Sequence, residues 1–105
     1  MLEINSFLLD KEVKTVYYVP EFITEEEERI LQKNISDSPK PKWTQLKNRR
    51  LQNWGGIPSS KGMIPENIPD WLNLYCKKVY DLNIFQDFFP NHILINEYKP
   101  GQGII

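Results

Sequence analysis

The 105-residue sequence contains one cysteine and one histidine, and between Ser38 and Pro65 it contains no acidic residue. With Cys76 alone, no disulfide can form within the chain, so its order has to come from packing and hydrogen bonding. With His92 alone, a metal site that needs two imidazoles cannot be assembled from these residues. Hydrophobic runs are short. None approaches the roughly 18 apolar residues that suggest a membrane-spanning helix, and near the start Leu8 and Leu9 give way at once to Asp10. No basic leader precedes them. We therefore expect no membrane partner and a reducing setting, cytoplasm or nucleus. Repeats and low-complexity tracts are also missing.

What is present is the composition of a folding chain. Hydrophobic residues make up 40% and aromatic residues 12%, with Trp43, Trp54 and Trp71 among them, which is too apolar for a disordered segment. The length suits one small domain at most. A formal net charge of −1 selects no partner, but the charges are segregated along the chain. Glu21, Glu25, Glu26, Glu27, Glu28 and Asp37 crowd the early part, whereas the acid-free stretch holds Lys40, Lys42, Lys47, Arg49, Arg50 and Lys61.

Local patterns predict a sequence of elements. Thr15 to Val19 is β-branched and aromatic and ends at Pro20, which predicts a short strand or extended entry. A helix follows, with Thr24 as N-cap, Glu27 completing a capping box and the neighbouring glutamates favoured by the positive end of the helix dipole. Ile30, Leu31 and Ile35 are expected to bury one side of it, and Pro39 marks a stop. Residues 39–69 read as a hairpin on a long loop, with strand-like pieces at Trp43 to Leu46 and Leu51 to Trp54. Gly55, Gly56, Pro58, Gly62 and Pro65 are expected to prevent further long elements. A second helix is predicted from Asp70 to Tyr80, where Leu72, Tyr75, Cys76 and Val79 recur at helical spacing, so Cys76 reads as core. Phe85, Phe88 and Phe89 lead into a last strand.

In that strand, alternation puts His92, Leu94, Asn96 and Tyr98 on one nominal face and Ile93, Ile95 and Glu97 on the other. Pro100, Gly101 and Gly103 then break the ladder. Gly101 and Gly103 do not form a dinucleotide or phosphate loop, because no helix follows within this sequence. The pattern Asn96-x-Tyr98-x-Pro100-Gly101 resembles the AlkB family of Fe(II)- and 2-oxoglutarate-dependent dioxygenases. Three upstream blocks, TVYYVPEFITEEEE from Thr15, PKPKWTQLKNRRLQNWGG from Pro39 and GMIPENIPDWL from Gly62, are similar in order and spacing to the alkB homolog 6 branch. The first dozen residues add nothing to this likeness.

The resemblance implies an α+β fragment: the N-terminal helices and first strands of a double-stranded β-helix, or jelly roll, with the barrel incomplete. Residues 1–14 are unassigned. Residues 15–105 are the N-terminal part of the dioxygenase domain, with 39–69 as nucleotide-recognition lid and 91–105 as the first co-substrate-binding strand and turn. It further implies oxidative demethylation of alkylated nucleic acid, or of protein, with iron and 2-oxoglutarate as cofactors. Asn96 and Tyr98 would bind 2-oxoglutarate. The family's His-x-Asp would fall just past Ile105, so the iron ligands are expected outside this sequence and the 105 residues alone are expected to be inactive. The rival expectation is a non-catalytic fragment that binds nucleic acid or a protein partner.

Read from the residues alone, Asn96 and Tyr98 admit two roles. A tyrosine hydroxyl and an asparagine amide two residues apart can offer neutral donors to a diacid, or they can be a packing aromatic and a turn-stabilising amide. His92 reads as structural, with no acid at position 94 to form His-x-Asp. In the basic stretch, Lys47, Arg49 and Arg50 can neutralise phosphates while Trp43 and Trp54 offer ring faces to unstacked bases, the chemistry of single-stranded nucleic-acid binding. The alternative is a solvated cationic loop with both tryptophans in the core, and Trp54 stays open between the two.

Overall fold

Two helices lie on one side of a three-stranded antiparallel sheet, and a second hairpin continues from the sheet's middle strand. The computed structural model describes residues 3–10, 12, 14–85 and 87–104. Residues 1, 2, 11 and 13 of the N-terminal segment and residue 105 of the expected terminal turn lie outside them.

Helix α1, Glu25–Ser36, starts as its sequence predicts. The Glu27 backbone N–H donates to Thr24 Oγ1 at 3.0 Å, and the Thr24 N–H donates to the Glu27 carboxylate at 2.9 Å. Its apolar side differs from expectation. None of its residues is buried, Ile30 is 44% exposed, and Leu31 and Ile35 are half-buried. The reason is that α1 stands off the sheet, leaving an open apolar cavity of about 400 Å³ lined by Leu31, Ile35, Cys76, Ile93 and Ile95 among others. Polar ties near its ends hold it instead. Lys78 Nζ donates to the Phe22 carbonyl at 2.8 Å and reaches the Glu27 carboxylate at 3.2 Å, and the Gln52 amide donates to the Ile35 carbonyl at 3.2 Å.

Helix α2, Asp70–Tyr80, has the predicted bounds and supplies the core, with Leu72 and Cys76 each 3% exposed. Burial pushes the Cys76 thiol above its ordinary pKa, as a packed cysteine requires.

The sheet comprises β1 (Trp43–Gln45), β2 (Arg50–Trp54) and β5 (Ile93–Glu97), in the order β1-β2-β5. Register pairs Gln52 with Trp43 and Ile95, Arg50 with Gln45 and Glu97, and Leu51 with Thr44 and Asn96. Arg50, Gln52, Trp54, Ile93 and Ile95 therefore share the helix side, and Leu51, Asn53, Leu94 and Asn96 share the other.

Of the two forms expected for Thr15 to Val19, the extended entry is found: Tyr17 makes an isolated bridge to Leu8, with hydrogen bonds from Leu9 N to the Val16 carbonyl and from Tyr18 N to the Phe7 carbonyl, each 2.9 Å. The segment finds one short partner, which supports a bridge but no ladder. The stretch rich in glycine and proline holds no long element, as expected, but it does form a short second hairpin. Strands β3 (Gly56–Ser59) and β4 (Gly62–Pro65) pair antiparallel, Ile57 opposite Ile64 and Pro58 opposite Met63. A two-stranded ribbon has an open edge on each strand, where proline's missing N–H costs no hydrogen bond.

Gly55 is the hinge between the two hairpins. Its φ of +93° turns the chain from β2 into β3, and its missing side chain lets the backbone of Asn91 and His92 press against it at the entry to β5.

Candidate functional site

Strand β5 carries the two residues expected to meet a co-substrate. Asn96 lies on the sheet face away from the helices, paired with Leu51 of β2, and its side-chain oxygen is buried without a hydrogen-bond partner. Turning the amide over presents its NH2 group at the same place, so this residue can serve a ligand as acceptor or donor. Tyr98 follows one residue after the strand ends, is 39% exposed, and makes no hydrogen bond among the described residues. The expected break comes next. Gln102 N–H donates to the Lys99 carbonyl at 2.9 Å, and Pro100 followed by Gly101 at φ +84° has the residue order of a type II turn. An unsatisfied buried amide and an unengaged phenol fit a small oxygen-rich ligand.

His92 precedes β5 and lines the helix-side cavity together with Ile93, so it does not share the Asn96 face that strict alternation suggests. Its Nε2 is buried without a hydrogen-bond partner. Among the described residues no three His, Cys, Asp or Glu side chains gather as a metal set.

The basic stretch divides into two hairpins at opposite ends of β2, and two of the expected nucleic-acid contacts also have partners within the protein. Arg50 is engaged internally. Its Nε and Nη2 donate to the two Glu97 carboxylate oxygens at 2.6 and 2.9 Å, and its guanidinium lies 3.9 Å over the Trp43 ring. The guanidinium holds the Glu97 carboxyl below its ordinary pKa. Trp54 is engaged too. Its indole N–H donates to Gln52 Oε1 at 2.8 Å, its ring meets Trp71 edge-on with centroids 5.3 Å apart, and Lys42 Nζ sits 4.3 Å from the ring centroid while pairing with Glu66 at 3.3 Å. The cause is alternation, which turns Arg50, Gln52 and Trp54 to the helix side, where Gln52 is fully buried. Trp43 keeps its half-buried ring against Arg50 on one face. Lys47 and Arg49 remain, in the turn between β1 and β2, without an ion pair among the described residues.

Sequence reasoning missed Glu97 and Gln52. Glu97 lies 47 positions from Arg50, and only the strand register brings them together.

No protein-family model matches the chain. Over all 105 residues it is 49% identical to a protein of Danio rerio named as the probable RNA/DNA demethylase ALKBH6, and it covers 45% of that protein. The chain belongs to the AlkB homologs. A second match is an uncharacterized protein, L905, of Acanthamoeba polyphaga mimivirus, 31% identical over 91 residues, which is 82% of this chain and 41% of that protein. The chain thus spans less than half the length of the curated relatives it matches. Among the described residues the AlkB stretch has two helices and antiparallel strands of mixed α and β character, with no closed barrel.

Proposed function

We propose that the full-length protein is an AlkB-type demethylase of alkylated nucleic acid, dependent on Fe(II) and 2-oxoglutarate, in which this chain contributes the first co-substrate strand of a jelly-roll domain. The observation that carries this reading is 49% identity, sustained over all 105 residues, to a protein named as a probable RNA/DNA demethylase. Asn96 and Tyr98 are the residues for 2-oxoglutarate. The buried, unpartnered end of the Asn96 amide and the unengaged Tyr98 hydroxyl suit a diacid that is itself rich in acceptors. When bound, iron supplies the activation of dioxygen. With one histidine in this sequence, its ligands come from the remainder of the protein. Residues 39–69 act as the lid toward nucleic acid, with Lys47 and Arg49 among the charges free of an ion pair in the described residues and able to meet phosphate.

The test is turnover by the full-length protein given iron, ascorbate, 2-oxoglutarate and a methylated oligonucleotide, read as succinate and as loss of methyl. Asn96→Ala and Tyr98→Phe should each raise the KM for 2-oxoglutarate by roughly 2- to 13-fold, the loss of one ordinary hydrogen bond. The 105-residue chain alone should give no succinate above a protein-free blank. Full-length protein that binds 2-oxoglutarate equally well with and without both side chains would falsify the site assignment.

A further inference from the structure

We propose that the open apolar cavity between α1 and β5 seats a further β-strand from the remainder of the full-length protein, paired along the free edge of β5 with uncharged apolar side chains turned under α1. Two independent features meet there. The first is the cavity, about 400 Å³, walled by Phe22 and Leu31 on the α1 side, Tyr75 and Val79 of α2, and Ile93 and Ile95 of β5. Of the sheet, only β5 contributes to its walls. The β2 residues of the same face are engaged elsewhere, Gln52 with the Ile35 carbonyl and Trp54 with Trp71. The second feature is the strand order β1-β2-β5, which gives β5 one partner among the described residues. Its other side carries a row of outward backbone N–H and C=O groups. Space and edge adjoin, because Ile93 and Ile95 belong to both.

Packing physics asks for both to be covered. Helix α1 is 12 residues long and buries none of them, whereas an amphipathic helix draws most of its stability from packing its apolar face. Protein interiors are close-packed and hold few voids larger than a water molecule. The chain covers 45% and 41% of the two relatives, so more than half of a protein of that length lies outside these residues. A strand needs only about 5–6 of them. The docking presupposes that longer protein, as the demethylase reading does, but no particular chemistry.

The walls specify the incoming side chains. None of the described residues lining the space is Asp, Glu, Lys or Arg. Lys78, whose Nζ lies 5.1 Å from the Phe22 ring centroid, is held by the Phe22 carbonyl at 2.8 Å and the Glu27 carboxylate at 3.2 Å. The Tyr75 hydroxyl donates to the Glu27 carbonyl at 3.3 Å, and His92 Nε2 is buried. An arriving charge would therefore be desolvated without a partner, which is costly. Side chains alternate across a strand, so every second residue of the added strand faces α1 and has to be apolar. The residues between them face the Asn96 side and carry no such constraint.

Hydrogen exchange by NMR on the wild-type full-length protein reads the edge. The amides of Ile93–Glu97 fall into two alternating sets, one directed to β2 and one away from it. Both should exchange at least about 100-fold more slowly than unstructured amides. Fast exchange of the outward set beside a slow inward set would show a free edge and overturn the docking. Outward protection that disappears on dilution would assign the edge to a second copy and overturn it equally. Thermal melts of the same protein read the cavity, with Leu31 on its wall and Ile30, the preceding residue of α1, 44% exposed. Leu31→Ala should lower Tm by roughly 4–20 °C, and Ile30→Ala should stay within about 2 °C of wild type. Equally small losses at the two positions would mean a solvent-filled space and overturn the docking. The exchange measurement depends on no variant folding. Neither readout involves turnover, so an inactive protein that passes both counts against the demethylase reading alone, and an active one that fails them counts against this strand alone.

Discussion

Substituting Gly55 with alanine tests whether the close approach of β2 to the entry of β5 organises this fold. Two costs add. At φ +93° alanine is held in a left-handed conformation, which costs about 1–2 kcal/mol. Its Cβ would also collide with the Asn91 carbonyl oxygen, with the carbonyl carbon at 3.0 Å and His92 Cα at 3.1 Å. Those atoms are backbone, so a strand entry has to move, and overpacking of this kind costs about 1–3 kcal/mol. The total is about 2–5 kcal/mol. Gly101 provides the control, because its φ of +84° carries the conformational cost while a Cβ there meets nothing within 4 Å. In the full-length protein, with about 2–4 °C of Tm per kcal/mol for a chain of roughly 150–250 residues, Gly55→Ala should lower Tm by roughly 4–20 °C. Gly101→Ala should lower it by roughly 2–8 °C on the same scale. Paired thermal melts decide the matter. Equal losses at the two positions would show that backbone conformation is the whole effect and that the contact with Asn91 and His92 carries no weight.

Thr24→Ala should destabilise the full-length protein by about 1 kcal/mol in urea titrations by removing the acceptor for the Glu27 N–H. Glu27 and Glu97 both have lowered pKa values, the first chiefly through the Thr24 backbone N–H and then Lys78, the second chiefly through Arg50. Groups with depressed values stabilise the fold above the ordinary carboxylate pKa and lose that contribution as pH falls through the depressed value. Stability should therefore drop on acidification below the ordinary glutamate range, and Glu27→Gln with Glu97→Gln should flatten that slope in pH-dependent melts. Cys76, at 3% exposure and with its thiol pKa raised, should resist alkylation at neutral pH until denaturant opens the core, as followed by mass spectrometry. Trp54→Ala at this half-buried position should cost about 2–3 kcal/mol of stability through lost packing, and a well-folded variant with weakened oligonucleotide binding would support Trp54 as a base platform.

What the sequence made legible was local. The Thr24 and Glu27 capping box, the bounds of α2 and the burial of Cys76 depend on residues within a turn or two of one another, and each is found as expected. The first hairpin was legible from its strand-like pieces. Features that depend on the third dimension were not. Helical periodicity marks the apolar side of α1 but does not say how closely it approaches the sheet, which is why Ile30 is exposed and a cavity lies below Leu31 and Ile35. Glycine and proline mark where the chain turns, yet β3 and β4 pair between those marks. At the candidate site, the resemblance singled out Asn96 and Tyr98, but the missing partner of the Asn96 oxygen emerges only with the strand in place. The internal partners of Arg50 and Trp54, Glu97 and Trp71, were not legible, because they lie far along the chain.

Arg49 and Arg50 show how one step of the backbone separates structure from recognition. Arg50 is the first residue of β2, on the helix side, where it clasps Glu97 of β5 and covers Trp43 of β1. It thereby ties all three strands at one end and helps fix the register that sets Asn96 opposite Leu51. The pair is partly solvated, but its two-point geometry suits it to holding register more than to adding bulk stability. Arg49, one residue earlier, belongs to the turn and has no carboxylate. A double substitution of the two would loosen β5 and remove a surface charge together, so a loss of nucleic-acid affinity could arise from either cause. Single substitutions separate them, because a change at Arg50 acts on the strand that carries Asn96, while a change at Arg49 leaves that strand clasped and alters only what the turn can attract.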